Sequence, residues 1–255
     1  MKQLGIQSPA VAHGIGLFET MLVIDGRVLF ADEHFERMRR SASDIGFPAP
    51  DANRFQDAVL AAAQQGAGES AVRCVYAAGG SIGDPRSWTL EAEGGPIPTV
   101  TLLRRAHGRA MTLDGSYTRS LPQHKLTSYA ICVIGLQRAL AAGSDEALFV
   151  DSGGAVLEGT ATNVFAIAND SLITAPIAAG ILPGVMRAWV LAEAARRGIA
   201  IENRAPALAE LRQGAFLTGS LTLLTPVRAV NGAACRAPGE VFTAIAAGWD
   251  ELVRK

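Results

Sequence analysis

Four times along this chain an apolar run doubles back through small polar residues, and that pattern commits it to a fold built on sheets. The first is the sharpest: LFETMLVI and RVLF flank Asp25-Gly26, a pair that accepts positive φ at both central positions of a tight turn. ALFVDSGGAVLEG, NVFAIANDSLITA and TPVRAVNGAACRA repeat the motif later in the sequence. Helical signals lie between them. Asp32 is placed to cap EHFERMRRSASDIGF, and NRFQDAVLAAAQQG runs to a stop near Gly66 or Gly68. AVRCVYAA and PTVTLLRR read as strands, and the stretch from about 106 to 115 has no clear period. After the loop SLPQHK, a helix is expected over LTSYAICVIGLQRALAAG, closed by Gly143. A second is expected over 184–197 with Gly198 as its stop, then a short helix APALAELRQ and the apolar strand GAFLTGSLTLL. The expectation is an α+β chain in two parts: an N-terminal α/β domain over 1–106, a connection over 107–115, and a strand-richer domain over 116–255.

Charge narrows the function classes. The formal net charge is −1 and no stretch gathers Lys or Arg into a run, so nucleic acid and anionic membrane are not expected partners. No apolar stretch is long and charge-free enough to span a bilayer, and MKQLGIQSPAVAHG has no apolar core of a signal peptide. Cys74, Cys132 and Cys235 are scattered and odd in number, which suits a reducing cytoplasm and three buried thiols. No metal-ligand spacing is present, and no metal is expected.

Lysine usage is more pointed. Of 23 basic residues only Lys2, Lys125 and Lys255 are Lys, and two of these are terminal. Lys125 is therefore the one interior amine in a chain that otherwise uses guanidinium, which points to a nucleophilic amine or to a lone surface cation. Tyr129 follows four residues later and shares its face if a helix begins at the lysine.

Other groups bear on chemistry. Pro183-Gly184 precedes a helix whose first N–H groups, at Val185, Met186 and Arg187, could receive a phosphate; an ordinary Pro-Gly helix start has the same signature. Glu158 closes the strand VLEG with its carboxylate aimed inward at a cationic or protonated partner, or outward as a solvated turn residue. In HFERMRRSASDIGF, Arg37 lies three residues after His34 on one face and has the fork to hold a phosphate, while Arg39 and Arg40 suit a solvated face.

In order along the chain, HGIGLFETM, EHFERMRRSA, KLTSY, EALFVDSGGAVLEGTATNVFAI, GILPGVMR and FLTGSLTLLTPV give a sequence that resembles the class IV (fold-type IV) aminotransferase family. Its members include branched-chain aminotransferases, D-amino-acid aminotransferases and aminodeoxychorismate lyases. The resemblance implies a small N-terminal α/β domain, a larger C-terminal pseudo-barrel domain, and a cytoplasmic homodimer acting on an amino acid and a keto acid. It implies pyridoxal 5'-phosphate held as a Schiff base on Lys125, which also shuttles the substrate's proton. By the same resemblance Glu158 pairs with the pyridine nitrogen and Tyr129 sits near the phenolate. Leu182 packs on the ring, and Arg37, Val185, Met186 and Ser220 hold the phosphate. Phe18, Arg86, Arg104 and Arg105 are the candidates to meet substrate.

Three departures stand out. His13 and Ile15 replace an aromatic residue and an Asp of the usual YGDGLFET-like segment, and Met186 replaces a threonine. AAGGSIGDPRSW also lacks the RGY-like motif associated with the lyases. The resemblance thus implies a transaminase first, with a p-aminobenzoate-forming lyase and a cofactor-binding protein of weak catalysis as the alternatives.

Overall fold

A computed structural model describes residues 5–66, 68–81 and 87–254. The chain divides into two compact units, Met1–Ile97 with His124–Tyr129, and Pro98–Gln123 with Ala130–Lys255.

The first unit contains α1 (Pro9–His13), β1 (Gly16–Ile24), β2 (Arg27–Val28), α2 (Ala31–Asp44), α3 (Ala52–Ala63), β3 (Glu69–Ala78) and β4 (Trp88–Gly95). Its sheet has the order β2-β1-β3-β4, antiparallel throughout. The β1–β2 turn forms as the sequence predicts, with φ of 49° at Asp25 and 78° at Gly26. α2 starts at Ala31, one residue before the expected Asp32 cap, from Phe30 in a left-handed conformation. Asp51 caps α3 by accepting from the Arg54 N–H at 2.8 Å. Met21, Met38, Phe55, Val59, Val72 and Leu90 form the core between sheet and helices; each such side chain contributes roughly 1.5–3 kcal/mol on burial.

Residues 124–129 rejoin this unit. β2 pairs only with the far end of β1, so the start of β1 keeps an open edge. There the Phe18 N–H donates to the Lys125 carbonyl at 2.9 Å and the Thr127 N–H to the Gly16 carbonyl at 2.9 Å. Leu17 bridges Leu126. The helix expected from Leu126 onward therefore begins only at Ala130, because these backbone groups are spent on a strand partner.

The second unit contains α4 (Thr99–His107), β5 (Arg109–Thr112), α5 (Ala130–Ala141), β6 (Glu146–Val150), β7 (Val156–Gly159), β8 (Asn163–Ala168), β9 (Ser171–Thr174), α6 (Val185–Arg196), β10 (Ile201–Asn203), α7 (Leu208–Gln213), β11 (Ala215–Gly219), β12 (Leu223–Pro226), β13 (Ala229–Val230), β14 (Ala233–Ala234) and α8 (Gly239–Val253). One sheet runs β10-β9-β8-β7-β6-β5-β13-β14, with β11 pairing both β8 and β12. The three later hairpins form where expected.

Two expectations fail here. PTVTLLRR is a helix, α4, which buries Thr101 and Arg104 on one face and leaves Leu102 and Leu103 exposed. The alternating Thr and Val mimic a strand, but a three-residue spacing faces the core. The expected connection over 107–115 instead carries the end of α4 and strand β5, which pairs in parallel with β6 and β13. Among the described residues no helix is long and apolar enough to cross a membrane.

Candidate functional site

Strand alternation presents Phe18 and Glu19 on opposite faces of β1, and each face gathers a distinct set of groups. On one, the Lys125 Nζ lies 4.5 Å from the Phe18 ring centre and 5.4 Å from that of Tyr129. The two rings meet edge to face at 5.2 Å. Arg73 projects from β3 opposite Thr20, two residues along from Phe18 on the same face, and its guanidinium lies 4.1 Å from the Phe18 ring centre. One aromatic ring thus contacts an amine and a guanidinium, an arrangement favoured by the ring's negative face. Burial pulls the Arg73 pKa down, and Tyr129 opposes it.

On the other face, Glu19 is buried between the sheet and α2. Arg37 grips it side-on, with Nε donating to Oε1 at 2.9 Å and Nη2 to Oε2 at 2.5 Å. The His34 Nδ1 lies 2.6 Å from Oε2. Burial alone would raise the Glu19 carboxyl, but Arg37 and His34 together bring it down to about 2. Burial lowers the His34 pKa against the pull of Glu19, and the Arg37 and Lys125 charges lower it further. An ionised carboxylate can only accept, so the His34 Nδ1–H donates to Glu19.

In the second unit Glu158 is buried on β7, paired in register with Asn163 of β8. Its Oε2 accepts the Leu182 N–H at 2.9 Å and lies 3.5 Å from the Asn163 Nδ2, while Oε1 accepts from Arg119. A cavity of about 170 Å³ opens beside it, lined by Tyr117, Arg119, Phe149, Leu157 and Gly180. Asn163 also donates to the Leu182 carbonyl at 3.0 Å, tying the chain before α6 to the strand that carries Glu158's partner. Gly184 caps α6, and a Cβ there would stand 1.9 Å from the Asn163 Oδ1, so only glycine admits this approach of helix to strand. Val185 and Met186 head α6 with buried side chains, and the N–H groups of its first turn have no acceptor within the helix. Ser220 follows β11 directly, and the neighbouring Thr218 hydroxyl is buried without a hydrogen-bond partner.

The remaining expected residues fall as follows. Arg104 is 2% exposed and lies 3.2 Å from the Glu146 carboxylate. It is therefore held by a buried acid and is not presented to a substrate. Arg105 donates through Nε to the Leu221 carbonyl at 2.6 Å. Arg86 lies outside the described residues. His13 ends α1 and is exposed, and the Ile15 carbonyl accepts the Ala78 N–H at 3.1 Å. Glu19, Arg73 and Arg119 are the residues that sequence reasoning misses. Arg73 and Glu19 occupy alternating strand positions where a charge reads as a solvent face, and Arg119 lies in a loop with no period.

Residues 16–230 match the model of the family described as amino-transferase class IV. A bifunctional aminodeoxychorismate lyase / D-amino acid transaminase of Mycobacterium tuberculosis is 32% identical over 251 residues, covering 88% of this chain and 84% of that protein. A putative branched-chain-amino-acid aminotransferase of Methanocaldococcus jannaschii is 31% identical over 238 residues, covering 86% of this chain and 80% of its own. Among solved structures, a hypothetical aminotransferase from Mycobacterium tuberculosis in its PLP-bound form superposes with a TM-score of 0.86 at 31% identity, covering 97% of this chain and 93% of the other. With the fold of its solved relatives and a family match over most of its length, the chain belongs to the amino-transferase class IV family of fold-type IV enzymes.

Proposed function

We propose that this chain is a pyridoxal-phosphate-dependent aminotransferase that moves an amino group from an amino acid to a keto acid, with Lys125 as the residue that bonds the cofactor covalently. The carrying observation is the placement of the Lys125 amine and the Arg73 guanidinium against the one Phe18 ring. A reacting α-amino acid calls for a nucleophilic amine at its reacting carbon and a cation for its carboxylate.

The residues fit the cofactor. Its aldehyde calls for an amine, its ring nitrogen for a carboxylate, and its phosphate for cations and N–H donors. Lys125, the buried Glu158, Arg37 and the Val185–Met186 end of α6 supply these chemistries. The unpartnered Thr218 hydroxyl and the space kept by Gly184 point the same way. When bound, the cofactor supplies an electron sink for cleavage of the substrate Cα–H bond. Lys125 then moves the proton at that carbon, and Tyr129 and Phe18 wall off water around its amine. Glu158, fixed by the Leu182 N–H and Arg119, holds a proton at the ring nitrogen. With the cofactor bound, Leu182 would pack on its ring, Tyr129 would donate to its phenolate oxygen and Ser220 would join the phosphate donors. Arg73 would take the substrate carboxylate.

One observation favours a second reading. The relative at 32% identity is named for both lyase and D-amino acid transaminase activity, so a pyruvate-releasing elimination belongs among the activities assayed. A cytoplasmic homodimer is the proposed state: Leu102 and Leu103 on α4, and Val133, Ile134 and Leu140 on α5, are exposed apolar residues of the sort a second copy covers.

The test is borohydride reduction with peptide mapping, joined to a screen of D- and L-amino donors. The reduced tag should fall on Lys125, and Lys125→Ala should lower turnover by about a thousandfold or more. Donor alone should release a single equivalent of keto acid and stop, turnover resuming only with an acceptor. Sustained turnover without acceptor would move the assignment to the lyase, and a tag on any other residue would end it.

A further inference from the structure

We propose that Glu19 is a positioning residue for phosphate binding: it fixes the plane of the Arg37 guanidinium, with His34 locking Glu19 in turn. This rests on the reading of Arg37 as a phosphate ligand. Arg37 is 7% exposed, and a side chain with four torsions would have to be ordered on binding if nothing held it beforehand. Glu19 holds it through the Nε–Nη2 edge with two bonds of 2.9 and 2.5 Å. The Nη1 group lies on the other edge of the planar fork, so clamping one edge sets the direction of the other.

The clamp is itself clamped. Glu19 leaves β1 opposite Cys74, in the stretch where β1 pairs with β3 residue by residue. His34 and Arg37 are three residues apart on α2 and both face that strand. His34 donates from Nδ1 to Glu19 Oε2 at 2.6 Å, so it fixes the direction of the carboxylate. The 3.4 Å approach of Arg37 Nη2 to the same nitrogen is then a contact between two donors and no bond.

A carboxylate beside a phosphate-binding cation has two opposed effects. It subtracts from the attraction for a dianion, and it removes the freedom that binding would otherwise have to freeze. The two bonds and the burial make orientation the larger effect, which fixes the sign of the experiment. The affinity of cofactor-stripped enzyme is measured for pyridoxal phosphate and for pyridoxal, which lacks the phosphate, and the ratio of the two is compared across variants. Glu19→Gln should lower that ratio by roughly tenfold or more, the range seen when a partner that orients a binding group is removed, with pyridoxal affinity unchanged. Glu19→Asp keeps the charge but draws the carboxylate back by one methylene, out of reach of Nε and Nη2, so it should lower the ratio as well. Should Glu19→Gln fail to fold, Glu19→Asp and His34→Leu carry the test. His34→Asn, which retains a donor near the Nδ1 position, should restore most of the ratio lost in His34→Leu.

A ratio that rises in Glu19→Gln, or stays at the wild-type value in Glu19→Asp, would overturn the proposal by making Glu19 a charge neutraliser. Equal losses of both ligands would make its role structural and overturn it equally. Arg37→Gln, which removes the charge but keeps an N–H donor for Glu19, separates this from the underlying reading: if that variant keeps the wild-type ratio, Arg37 is not the phosphate ligand and both fall together.

Discussion

Each unit encloses a glutamate almost completely, Glu19 at 1% and Glu146 at 0% exposure, and the two are held in opposite ways. Glu19 is met by a guanidinium in a two-point grip and by an imidazole. Glu146 is met by neutral donors: the N–H groups of Ala147 and Thr160 at 3.0 and 3.1 Å, and the hydroxyls of Thr160 and Thr162 at 2.5 and 2.9 Å. Its arginine, Arg104, approaches to 3.2 Å without hydrogen-bond alignment, and Arg104 Nε and Nη2 are both buried without a hydrogen-bond partner. Where neutral donors already satisfy a carboxylate, the cation near it balances charge but gains no direction. Where they do not, the cation is aligned. The first unit's pair can therefore set geometry, and the second unit's pair can only set stability.

The strongest way to break this contrast is Glu146→Leu. It strands Arg104 in the interior and takes the carboxylate away from the Thr160 and Thr162 hydroxyls, so it should cost about 3–5 kcal/mol in urea unfolding of the cofactor-free chain. A cost near that of a surface substitution would mean that Arg104 relaxes to another partner and the contrast is false.

Acid should sharpen the same contrast from the other side. Burial opposes the charged form of Glu19, yet Arg37 and His34 hold its folded pKa at about 2 against 4.5 for an ordinary glutamate. Between those values the unfolded chain binds the extra proton, so stability falls as pH is lowered through the window and is fully present above it. The contribution is on the order of 3 kcal/mol. The fall in unfolding free energy from pH 5 to pH 3 should be visibly shallower in Glu19→Gln than in wild type. Parallel curves would show that the grip on Glu19 is not electrostatic.

The smallest effect belongs to Thr218, whose buried hydroxyl has no partner. Thr218→Val should leave the cofactor-free chain within about 1 kcal/mol of wild type, or slightly more stable, because it removes an unsatisfied polar atom. A loss well beyond that, read from the urea midpoint, would mean that the hydroxyl is bonded within the protein after all.

What the sequence makes legible is local. Asp25-Gly26, and the turns at Asn169-Asp170 and Asn231-Gly232, take positive φ at both residues, so the hairpins announce themselves. The helix starting at Val185 is equally plain, because Pro183 and Gly184 punctuate it. Lys125 is singled out by the scarcity of its residue type, and Arg37 by sharing a helix face with His34. What fails depends on partners far along the chain. Nothing near Lys125 says that its carbonyl is owed to Phe18. Nothing within PTVTLLRR says that Thr101 and Arg104 face a core, so its period of two wins on paper and loses in space. Arg73 is invisible for the same reason, since a lone charge in an alternating strand reads as solvent-facing until its neighbours are known.

The return of residues 124–129 to β1 also dictates an order of assembly. Gly16 and Phe18 offer their backbone groups to Thr127 and Lys125, which the ribosome delivers more than a hundred residues later. Until then the nascent first unit presents a bare strand rim, the kind of surface on which foreign strands nucleate. The peptide that carries the Lys125 amine is also the one that seals this rim, so a chain that has closed its sheet has, by the same act, set the proposed nucleophile in place.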